Sequence, residues 1–335
     1  MSKNSMYYSS DLLFSHNPVI GFCMSGRGHG KSFEGKNRAI KTFLKDCSQT
    51  VYVRRTQKEL DKVKKSYFND ISEFFPNCTF SVDGDFGYIN GEIAIIFLAL
   101  STSANFKSSS YPRVKLVVYD EFVIPQTSSY KRYLKNEMFL FFELFETIYR
   151  LRDGRILILS NAVSYVNPFF SFFGIQIKDT KKRFHKFKNG LIVVELYDNE
   201  EFKQKKMDSR FYKLVEGTPY AEYLVGEGAF EDDDSFLREE RVGQHIFICS
   251  LVMDNIEVGV WFDDNGDFYC DDKIDYDSKN RFAVFNEDMR PHLKHIKHEH
   301  NKWRCKRIKE GYQNSEMYFK NQEIKKFMQK AIKYL

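Results

Sequence analysis

Short apolar runs alternate with amphipathic stretches along the first half of the chain. The apolar runs, each bounded by turn-forming or charged residues, predict buried strands at 19–24, 51–53, 114–119 and 156–159. The spacing of apolar residues between these runs predicts helices at 32–44, 58–75 and 133–151. Strands that alternate with helices are typical of an α/β fold with a mainly parallel sheet and helices on both faces.

Antiparallel hairpins are also predicted, from turn dipeptides that lie between alternating segments. Residues 79–100 contain an Asp-Gly pair at 83–84 and an Asn-Gly pair at 90–91, and residues 183–196 contain an Asn-Gly pair at 189–190. These dipeptides favour tight turns because both of their positions tolerate positive φ angles. We therefore expect short antiparallel additions to the parallel sheet.

The pattern changes after residue 197. Residues 199–215 are polar and lysine-rich with few apolar positions, which predicts a helical strut between domains. An acidic loop at 231–234 marks a boundary, and a β-meander with two basic helical stretches is predicted beyond it. We predict a larger domain at 1–197, a helical linker at 198–228 and a small α+β domain at 229–335.

The composition is that of a folded protein. Of the 335 residues, 42% are hydrophobic and 16% are aromatic, enough to fill sizeable cores. The six cysteines are scattered without a C-x-x-C pair, which argues against a disulfide framework or a zinc ribbon. The first residues lack the apolar core of a signal peptide, and no apolar run reaches the ~18–20 residues that cross a bilayer. We expect an intracellular protein that is neither secreted nor membrane-spanning.

Charge is distributed unevenly along the chain. Residues 290–335 carry 13 basic side chains against 4 acidic ones, a net charge of +9, whereas the preceding residues carry a net charge of −4. Trp303 and Tyr312 lie among these basic residues. This pattern suits a polyanionic partner such as a nucleic acid backbone, and a solvated helix face is the other interpretation.

A glycine-rich loop follows the first predicted strand and precedes the first predicted helix. Its glycines allow successive backbone N–H groups to turn inward around a phosphate, and the helix N-terminus would point at the same anion. Lys31 would reach the β- and γ-phosphates, and Ser32 would ligate Mg²⁺. The pattern GxxxxGK[ST] has glycine where this chain has Ser25. The predicted nucleotide-binding residues are Ser25, Gly26, Arg27, Gly28, His29, Gly30, Lys31 and Ser32.

A second candidate element lies about ninety residues further on, where an apolar strand ends in Asp120-Glu121. This is typical of a Walker B strand, in which Asp120 would hold Mg²⁺ and Glu121 would polarise the attacking water. The guanine-specific Asn-Lys-x-Asp motif of GTPases does not occur in the sequence. We therefore predict ATP and Mg²⁺ as cofactors and hydrolysis as the reaction.

The strand at 156–159 ends in Ser160-Asn161. In such folds a polar side chain at this place can lie beside the γ-phosphate and sense its hydrolysis. An ordinary turn at a strand end is the other interpretation of the same two residues. Since the pair follows the two preceding elements in order, we favour the sensor.

Several motifs occur together in order along the chain: Ser25–Ser32, Tyr52–Arg55, Tyr111-Pro112, Asp120–Phe122, Tyr149-Arg150, Leu159–Val163 and Val166–Pro168. In this combination the chain resembles the DNA-packaging (encapsidation) ATPases of small protein-primed tailed phages, the phi-twenty-nine type, which are relatives of the large terminases. Ser25 and Arg27 fit the phosphate loops of that family better than the generic pattern. The resemblance is clearest over the first 200 residues or so and weaker beyond.

The resemblance implies a P-loop NTPase fold of the additional-strand, catalytic-glutamate (ASCE) class, terminase-like, followed by a small α+β domain. It implies a homomeric ring, expected to be a pentamer, at the portal vertex of a procapsid in the host cytoplasm. There the ring would use ATP hydrolysis to translocate double-stranded DNA, docked through a phage structural RNA or the portal vertex itself.

Two basic residues are implied to act on a neighbouring subunit's nucleotide. Arg150 matches the family's trans-acting arginine finger, and its other interpretation is a charge that complements the end of a helix. Lys107 matches a second basic residue near the neighbour's nucleotide, and otherwise is a plain loop lysine.

Residues that grip DNA are harder to identify because a motor must bind any sequence, mainly through phosphates. The candidates are Arg54, Arg55, Lys58, Lys131 and Arg132. If Arg54 or Arg55 points back to the nucleotide, it would act in catalysis instead of in grip.

The resemblance implies that the C-terminal domain corresponds to the RNase H-like nuclease of terminases. Its aspartates lie on and between predicted strands, at Asp254, Asp263, Asp264, Asp267, Asp271 and Asp272. Such carboxylates can hold two metal ions about 4 Å apart, but they are also common in hairpin turns. Because protein-primed phages package unit-length genomes without cutting, the resemblance implies a degenerate, inactive domain. A nearby histidine group is interpreted as a solvated helix, not a metal site: His292, His295, His298 and His300.

Two other functions are compatible with the sequence. One is a helicase, or a terminase large subunit with an active C-terminal nuclease. The other is a nucleotide-gated assembly factor that binds ATP without useful turnover.

Overall fold

The computed structural model describes residues 7–106, 110–124, 133–134, 137–161, 167–177, 179–218, 220–221, 236–299, 302–314 and 316–335. The chain divides into two compact units, one comprising 1–165 with 175–231 and the other 166–174 with 232–335. The described part of the predicted linker therefore clusters with the first unit, and the domain bounds given above stay a prediction. In these residues no helix has both the length and the apolarity to cross a bilayer.

The first unit is built on a nine-stranded sheet. Its strands are β1 (Ile20–Ser25), β2 (Gln49–Arg54), β3 (Phe80–Asp83), β4 (Phe86–Ile89), β5 (Glu92–Ala99), β6 (Val114–Asp120), β7 (Arg155–Asn161), β8 (Phe184–Phe187) and β9 (Ile192–Tyr197). Its described helices are α1 (Asp11–Ser15), α2 (Lys31–Asp46), α3 (Gln57–Lys64), α4 (Glu137–Tyr149), α6 (Glu200–Met207) and α7 (Arg210–Val215).

The strand order is β3-β4-β5-β2-β6-β7-β1-β9-β8. From β5 to β9 every neighbouring pair is parallel, whereas β3, β4 and β8 join the two edges as antiparallel hairpins. The predicted hairpin turns are confirmed, since Gly84, Asn90 and Gly91 all have positive φ. β7 lies between the glycine-loop strand β1 and the acidic strand β6. This inserted strand is the additional strand for which the predicted ASCE class of P-loop NTPases is named.

Both faces of the sheet are covered, as predicted. Side chains alternate between faces along a strand, so Val118 and Tyr119 point in opposite directions. Val118 faces α2, where a Cβ on Gly35 would lie 3.0 Å from it. Tyr119 stacks on Phe141 of α4 with ring centroids 5.8 Å apart. Tyr52, Cys23 and Leu157 share the α2 face with Val118 in one buried apolar cluster.

Three predicted helices differ from those found. The helix expected over 58–75 ends at Lys64, and turns and a short 3₁₀ segment follow it. The helix expected over 133–151 is confirmed as α4 only within 137–149. The polar stretch at 199–215 is two helices, because Ser209 caps α7 by accepting a hydrogen bond from the Tyr212 N–H at 3.1 Å.

The second unit has its own sheet and core. Its described elements are α5 (Pro168–Phe173), β10 (His245–Met253), β11 (Ile256–Asp263), β12 (Phe268–Asp271), β13 (Arg281–Ala283), β14 (Lys294–His295), α8 (Trp303–Gln313), β15 (Met317–Phe319) and α9 (Gln322–Ala331). The strand order is β14-β13-β10-β11-β12-β15. The meander β10-β11-β12 is antiparallel, and β13 and β14 continue from β10 in parallel. Apart from β15, which is added at one edge, this is the strand order of an RNase H-like sheet.

Candidate functional site

The carboxyl ends of β1, β6 and β7 meet at one edge of the first unit's sheet. In the parallel register Ser25 lies opposite Asn161, and Asp120 lies opposite Leu159. The three functional segments predicted from the sequence therefore share one location. Ligands of open α/β sheets bind at this edge.

The glycine-rich loop connects β1 to α2. Gly28 and Gly30 have φ angles of 94° and 82°, in the left-handed region that favours glycine. Gly30 directly precedes the first turn of α2, whose free N–H groups provide an anion-binding end. The loop is thus built as the sequence predicts for a phosphate cradle.

Lys31 is buried at the start of α2. Its Nζ donates to Ser25 Oγ at 2.6 Å, to the carbonyl oxygens of Ser25 and Gly26 at 3.2 and 2.9 Å, and to Asn161 Oδ1 at 3.2 Å. Burial lowers the pKa of Lys31 to about 8, and the charge on Asp120 partly opposes that shift. A phosphate at this place would stabilise the protonated amine.

Ser32 and Asp120 form the candidate metal pair. Ser32 Oγ donates to Asp120 Oδ1 at 3.2 Å. Tyr52 OH donates to Asp120 Oδ2 at 2.8 Å, and Arg54 Nη1 lies 3.1 Å from that same oxygen. A hydroxyl and a carboxylate oxygen side by side fit Mg²⁺, which prefers oxygen ligands and also uses those of a bound nucleotide.

Glu121 follows Asp120 at the exposed rim of the site. Its φ angle is 58°, which is uncommon for a residue other than glycine, and its side chain is 47% exposed. Arg54 Nη2 donates to Glu121 Oε2 at 2.8 Å. One guanidinium therefore bridges both acidic residues of the pair.

Arg54 and Arg55 do not fit the predicted DNA grip. Arg54 is only 7% exposed and lies between the two carboxylates just described. Arg55 is 4% exposed and points to the other face of the sheet, where its Nε donates to Glu137 Oε2 at 2.9 Å. Tyr119 OH donates to Glu137 Oε1 at 3.0 Å. In this structure both guanidinium groups are engaged within the protein, and neither is available to a DNA phosphate.

The other predicted residues are placed as follows. Ser160 Oγ accepts from the Val123 N–H at 3.3 Å and so contacts the segment that follows Glu121. Lys58 is exposed on α3. The predicted residues that lie outside the described residues are Lys107, Lys131 and Arg132.

Arg150 is exposed directly after α4 in a left-handed conformation with φ of 53°. Its backbone N–H closes the helix by bonding to the Glu146 carbonyl at 2.7 Å. Across the described part of the chain its side chain makes no hydrogen bond or ion pair. Arg152 differs, because its guanidinium donates to the carbonyl oxygens of Tyr111 and Pro112 at 2.7 Å each.

Tyr52 is a functional residue that sequence reasoning missed. It is almost fully buried, and its hydroxyl orients the carboxylate that is expected to hold the metal. Partners that orient a metal ligand contribute roughly 10–100-fold to metal affinity. The sequence offers one signal, the spacing of two between Tyr52 and Arg54, which places both side chains on the same face of β2; the pairing of β2 with β6 comes from the structure.

We expect Tyr52→Phe to raise the Mg²⁺ concentration needed for half-maximal ATP turnover by roughly 10-fold or more. Titration of ATPase activity with Mg²⁺ measures it. Tyr67→Phe is the matched control, because Tyr67 packs on Tyr52 with ring centroids 5.0 Å apart, and its buried hydroxyl bonds to none of the described residues. Equal Mg²⁺ dependence in the two variants would contradict the role of Tyr52.

Four of the six predicted aspartates in the second unit are engaged in turns or ion pairs. Asp263 accepts from the N–H groups of Asn265 and Asp267 at 2.9 and 2.8 Å and so closes a turn. Asp271 pairs with Arg241 at 2.8 Å and also accepts from Trp261 Nε1 at 3.0 Å. The remaining predicted residues are Asp267 (3.8 Å from Arg238), Asp272 (2.8 Å from Lys320), and the exposed Asp254 and Asp264.

No group of three or more metal-binding side chains converges within the described ranges of either unit. His292 and His298 are exposed, and His300 lies outside those ranges. Of the two aromatics predicted to accompany the basic residues, Trp303 is 66% exposed, whereas Tyr312 is buried in the core. Only Trp303 is available to a partner.

These features define a P-loop NTPase of the additional-strand class: the strand order, the glycine-rich loop, and the pair Ser32 and Asp120 beside that loop. A family model described as "Podovirus DNA encapsidation protein (Gp16)" matches residues 1–334. The chain belongs to this family.

Individual relatives agree with this assignment. The DNA packaging protein of Bacillus phage phi29 is 33% identical over 323 residues, which is 96% of this chain and 95% of that protein. The DNA packaging protein of Bacillus phage B103 is 32% identical over 312 residues, or 92% and 95%. In the solved bacteriophage phi29 viral genome packaging motor assembly, one chain is 31% identical with a TM-score of 0.60, covering 98% of this chain and 99% of that one. The crystal structure of the N-terminal domain of the phi29 DNA packaging ATPase is 36% identical with a TM-score of 0.53, covering 58% and 98%.

Proposed function

We propose that this protein is an ATP-hydrolysing motor that translocates double-stranded viral DNA into a procapsid. The observation that carries the proposal is the meeting of Lys31, Ser32 and Asp120 at one sheet edge, with Glu121 beside them. The relatives support the substrate, since they are DNA packaging proteins, one of them described as an ATPase.

Each residue of the site has a proposed role. Backbone N–H groups of residues 26–31 and the amine of Lys31 would hold the phosphates of ATP, and Ser32 and Asp120 would hold Mg²⁺. Bound Mg²⁺ would neutralise charge on the phosphates. Glu121 accepts a proton from the attacking water. Arg54 donates to Glu121 Oε2 at 2.8 Å, and the second carboxylate oxygen, Oε1, can accept the proton while that hydrogen bond is kept.

Assembly into a ring is proposed from the position of Arg150. An exposed guanidinium that its own unit does not use is available to a neighbouring subunit's γ-phosphate. Lys107 is proposed as a second basic residue at that interface, and Asn161, with Ser160, as the sensor of hydrolysis. The ring, proposed to be a pentamer, would act at the portal vertex in the host cytoplasm and bind a phage structural RNA or the portal.

For contact with DNA, Lys58 remains a candidate together with Lys131 and Arg132. Phosphate contacts by such side chains suit a motor because they do not depend on base sequence. An active C-terminal nuclease is the less favoured alternative. Local structure already accounts for two of its carboxylates, since Asp263 accepts two backbone N–H groups of its own turn and Asp271 accepts from Trp261 Nε1.

A packaging reaction tests the proposal. The purified protein, procapsids with their vertex RNA and ATP should convert added double-stranded DNA into a nuclease-resistant form. Lys31→Ala should package no DNA, because its nucleotide site lacks the amine. Protection of DNA without ATP, or by the Lys31→Ala protein, would contradict a motor and favour a passive assembly factor.

A further inference from the structure

The segment directly after β9 lies on the glycine-rich loop. Asn199 caps α6 by accepting from the Phe202 N–H at 3.1 Å, which fixes the first turn of that helix. The Phe202 ring lies 4.5 Å from the His29 ring, and a Cβ on Gly28 would come within 3.1 Å of Phe202. The polar segment interpreted from the sequence as a strut is thus packed against the phosphate cradle.

Lys206, one turn further along α6, contacts the loop backbone. Its Nζ donates to the Arg27 carbonyl oxygen at 3.0 Å. The peptide unit is planar and trans, so its C=O and N–H groups point in opposite directions. With the Arg27 carbonyl held toward Lys206, the Gly28 N–H points away from α6. That N–H is one of the donors that a phosphate in the cradle would require.

His29 completes the contact between the loop and this segment. It is 3% exposed, its Nδ1 lies 3.0 Å from the Gly26 carbonyl oxygen, and its Nε2 is 4.0 Å from Asp198 Oδ1. Tyr197 meets the same ring edge-on at 5.6 Å. The end of β9 and helix α6 therefore contact residues 26–29 at two places, the His29 side chain and the Arg27 backbone carbonyl.

We propose that Phe202 and Lys206 are positioning residues for the nucleotide, acting through the Arg27-Gly28 peptide and the His29 ring to hold the loop in its phosphate-binding conformation. This inference rests on the proposed function, because it assumes that the loop binds ATP. Lys206 contacts the loop from the side of α6 and so stabilises the bound nucleotide and the transition state of hydrolysis equally. Its loss therefore weakens nucleotide binding and leaves the chemical step unchanged.

The test measures the affinity of Mg·ATP and Mg·ADP by calorimetry, together with kcat and KM for ATP hydrolysis. We expect Lys206→Met to weaken both affinities about tenfold, as loss of a charged hydrogen bond does, with kcat within about twofold of the unmodified protein. Lys206→Arg keeps the donor and should recover most of the affinity. Lys205→Met is the matched control, since the neighbouring Lys205 is exposed and pairs with Glu201 at 3.2 Å.

The outcomes separate this inference from the proposed function. If Lys206→Met binds ATP like the unmodified protein, or if Lys205→Met weakens binding equally, the inference is overturned while the motor proposal stands. If the unmodified protein itself does not bind ATP, the proposed function is wrong, whatever the variants show.

The variant Phe202→Ala gives an independent check, with Phe211→Ala on the exposed face of α7 as its control. An equal thermal midpoint in all variants, with affinity lost only in Phe202→Ala and Lys206→Met, supports the assignment.

Discussion

Glu121→Gln should reduce steady-state ATP turnover by roughly 10²–10⁴-fold while ATP remains bound. Glutamine keeps the shape of the side chain and can still accept a hydrogen bond from Arg54. It cannot take a proton from water, which is the step assigned to this residue. The left-handed backbone and half-exposed side chain of Glu121 place it at the rim of the site, where water reaches it.

Turnover and binding need to be measured on the same sample, with a phosphate-release assay for one and calorimetry for the other. Glu92→Gln is a suitable control, because Glu92 is an exposed carboxylate at the start of β5 that pairs with Arg113 at 3.4 Å. Its turnover should be unchanged. Hydrolysis by Glu121→Gln at the rate of the unmodified protein would remove Glu121 from the mechanism.

Arg150→Ala should reduce hydrolysis by about 10³–10⁵-fold, the range associated with trans-acting arginines. The reason is geometric: the side chain extends from the end of α4 into solvent and has no partner within the described part of its own chain. Its removal should leave stability within about 0.5 kcal/mol, as for other surface substitutions.

Mixing variants tests whether Arg150 acts between subunits. A subunit with Arg150→Ala retains its own phosphate cradle, and a subunit with Lys31→Ala retains its arginine. Their mixture should therefore recover activity at those interfaces where the two intact parts meet. Arg152→Ala is the control, because that guanidinium holds carbonyl groups of its own chain. It should lower thermal stability and show no such recovery. Mixtures of Arg150→Ala with Lys31→Ala that stay inactive would contradict a trans role.

The site was predictable where function depends on residues that are contiguous in sequence. The loop at 25–32 and the pair Asp120-Glu121 each combine a strand end with a polar signature. Parallel pairing of β1, β7 and β6 then brings them together without further information. The hairpins were equally local, because their turns depend on Asn-Gly and Asp-Gly pairs that accept positive φ.

The two neighbouring arginines show what a contiguous pattern leaves open. The sequence makes Arg54 and Arg55 candidates for DNA contact, with catalysis as the alternative for either, but consecutive strand residues point to opposite faces. Arg54 shares a face with Tyr52 and meets Asp120, whereas Arg55 meets Glu137 on the other side. The alternation was readable, but Glu137 lies 82 positions away from Arg55, and only the fold reveals that it is the partner.

The contact made by the segment at 199–215 was not predictable for a different reason. Its few apolar positions predict a helical strut between domains, because an amphipathic stripe is the usual sign of a packed helix. Here the contact is made by one aromatic ring and one lysine against a glycine loop. Glycine exposes backbone, so a partner needs few apolar side chains to pack there.

A structure of the Glu121→Gln protein with Mg²⁺ and ATP tests the central claim most directly. The account predicts a triphosphate enclosed by residues 26–31, with the Lys31 amine moved from the Gly26 carbonyl onto the phosphates. It also predicts Mg²⁺ beside Ser32 and Asp120. At saturating ATP, a loop without nucleotide in which Lys31 still bonds to Gly26 would contradict the account.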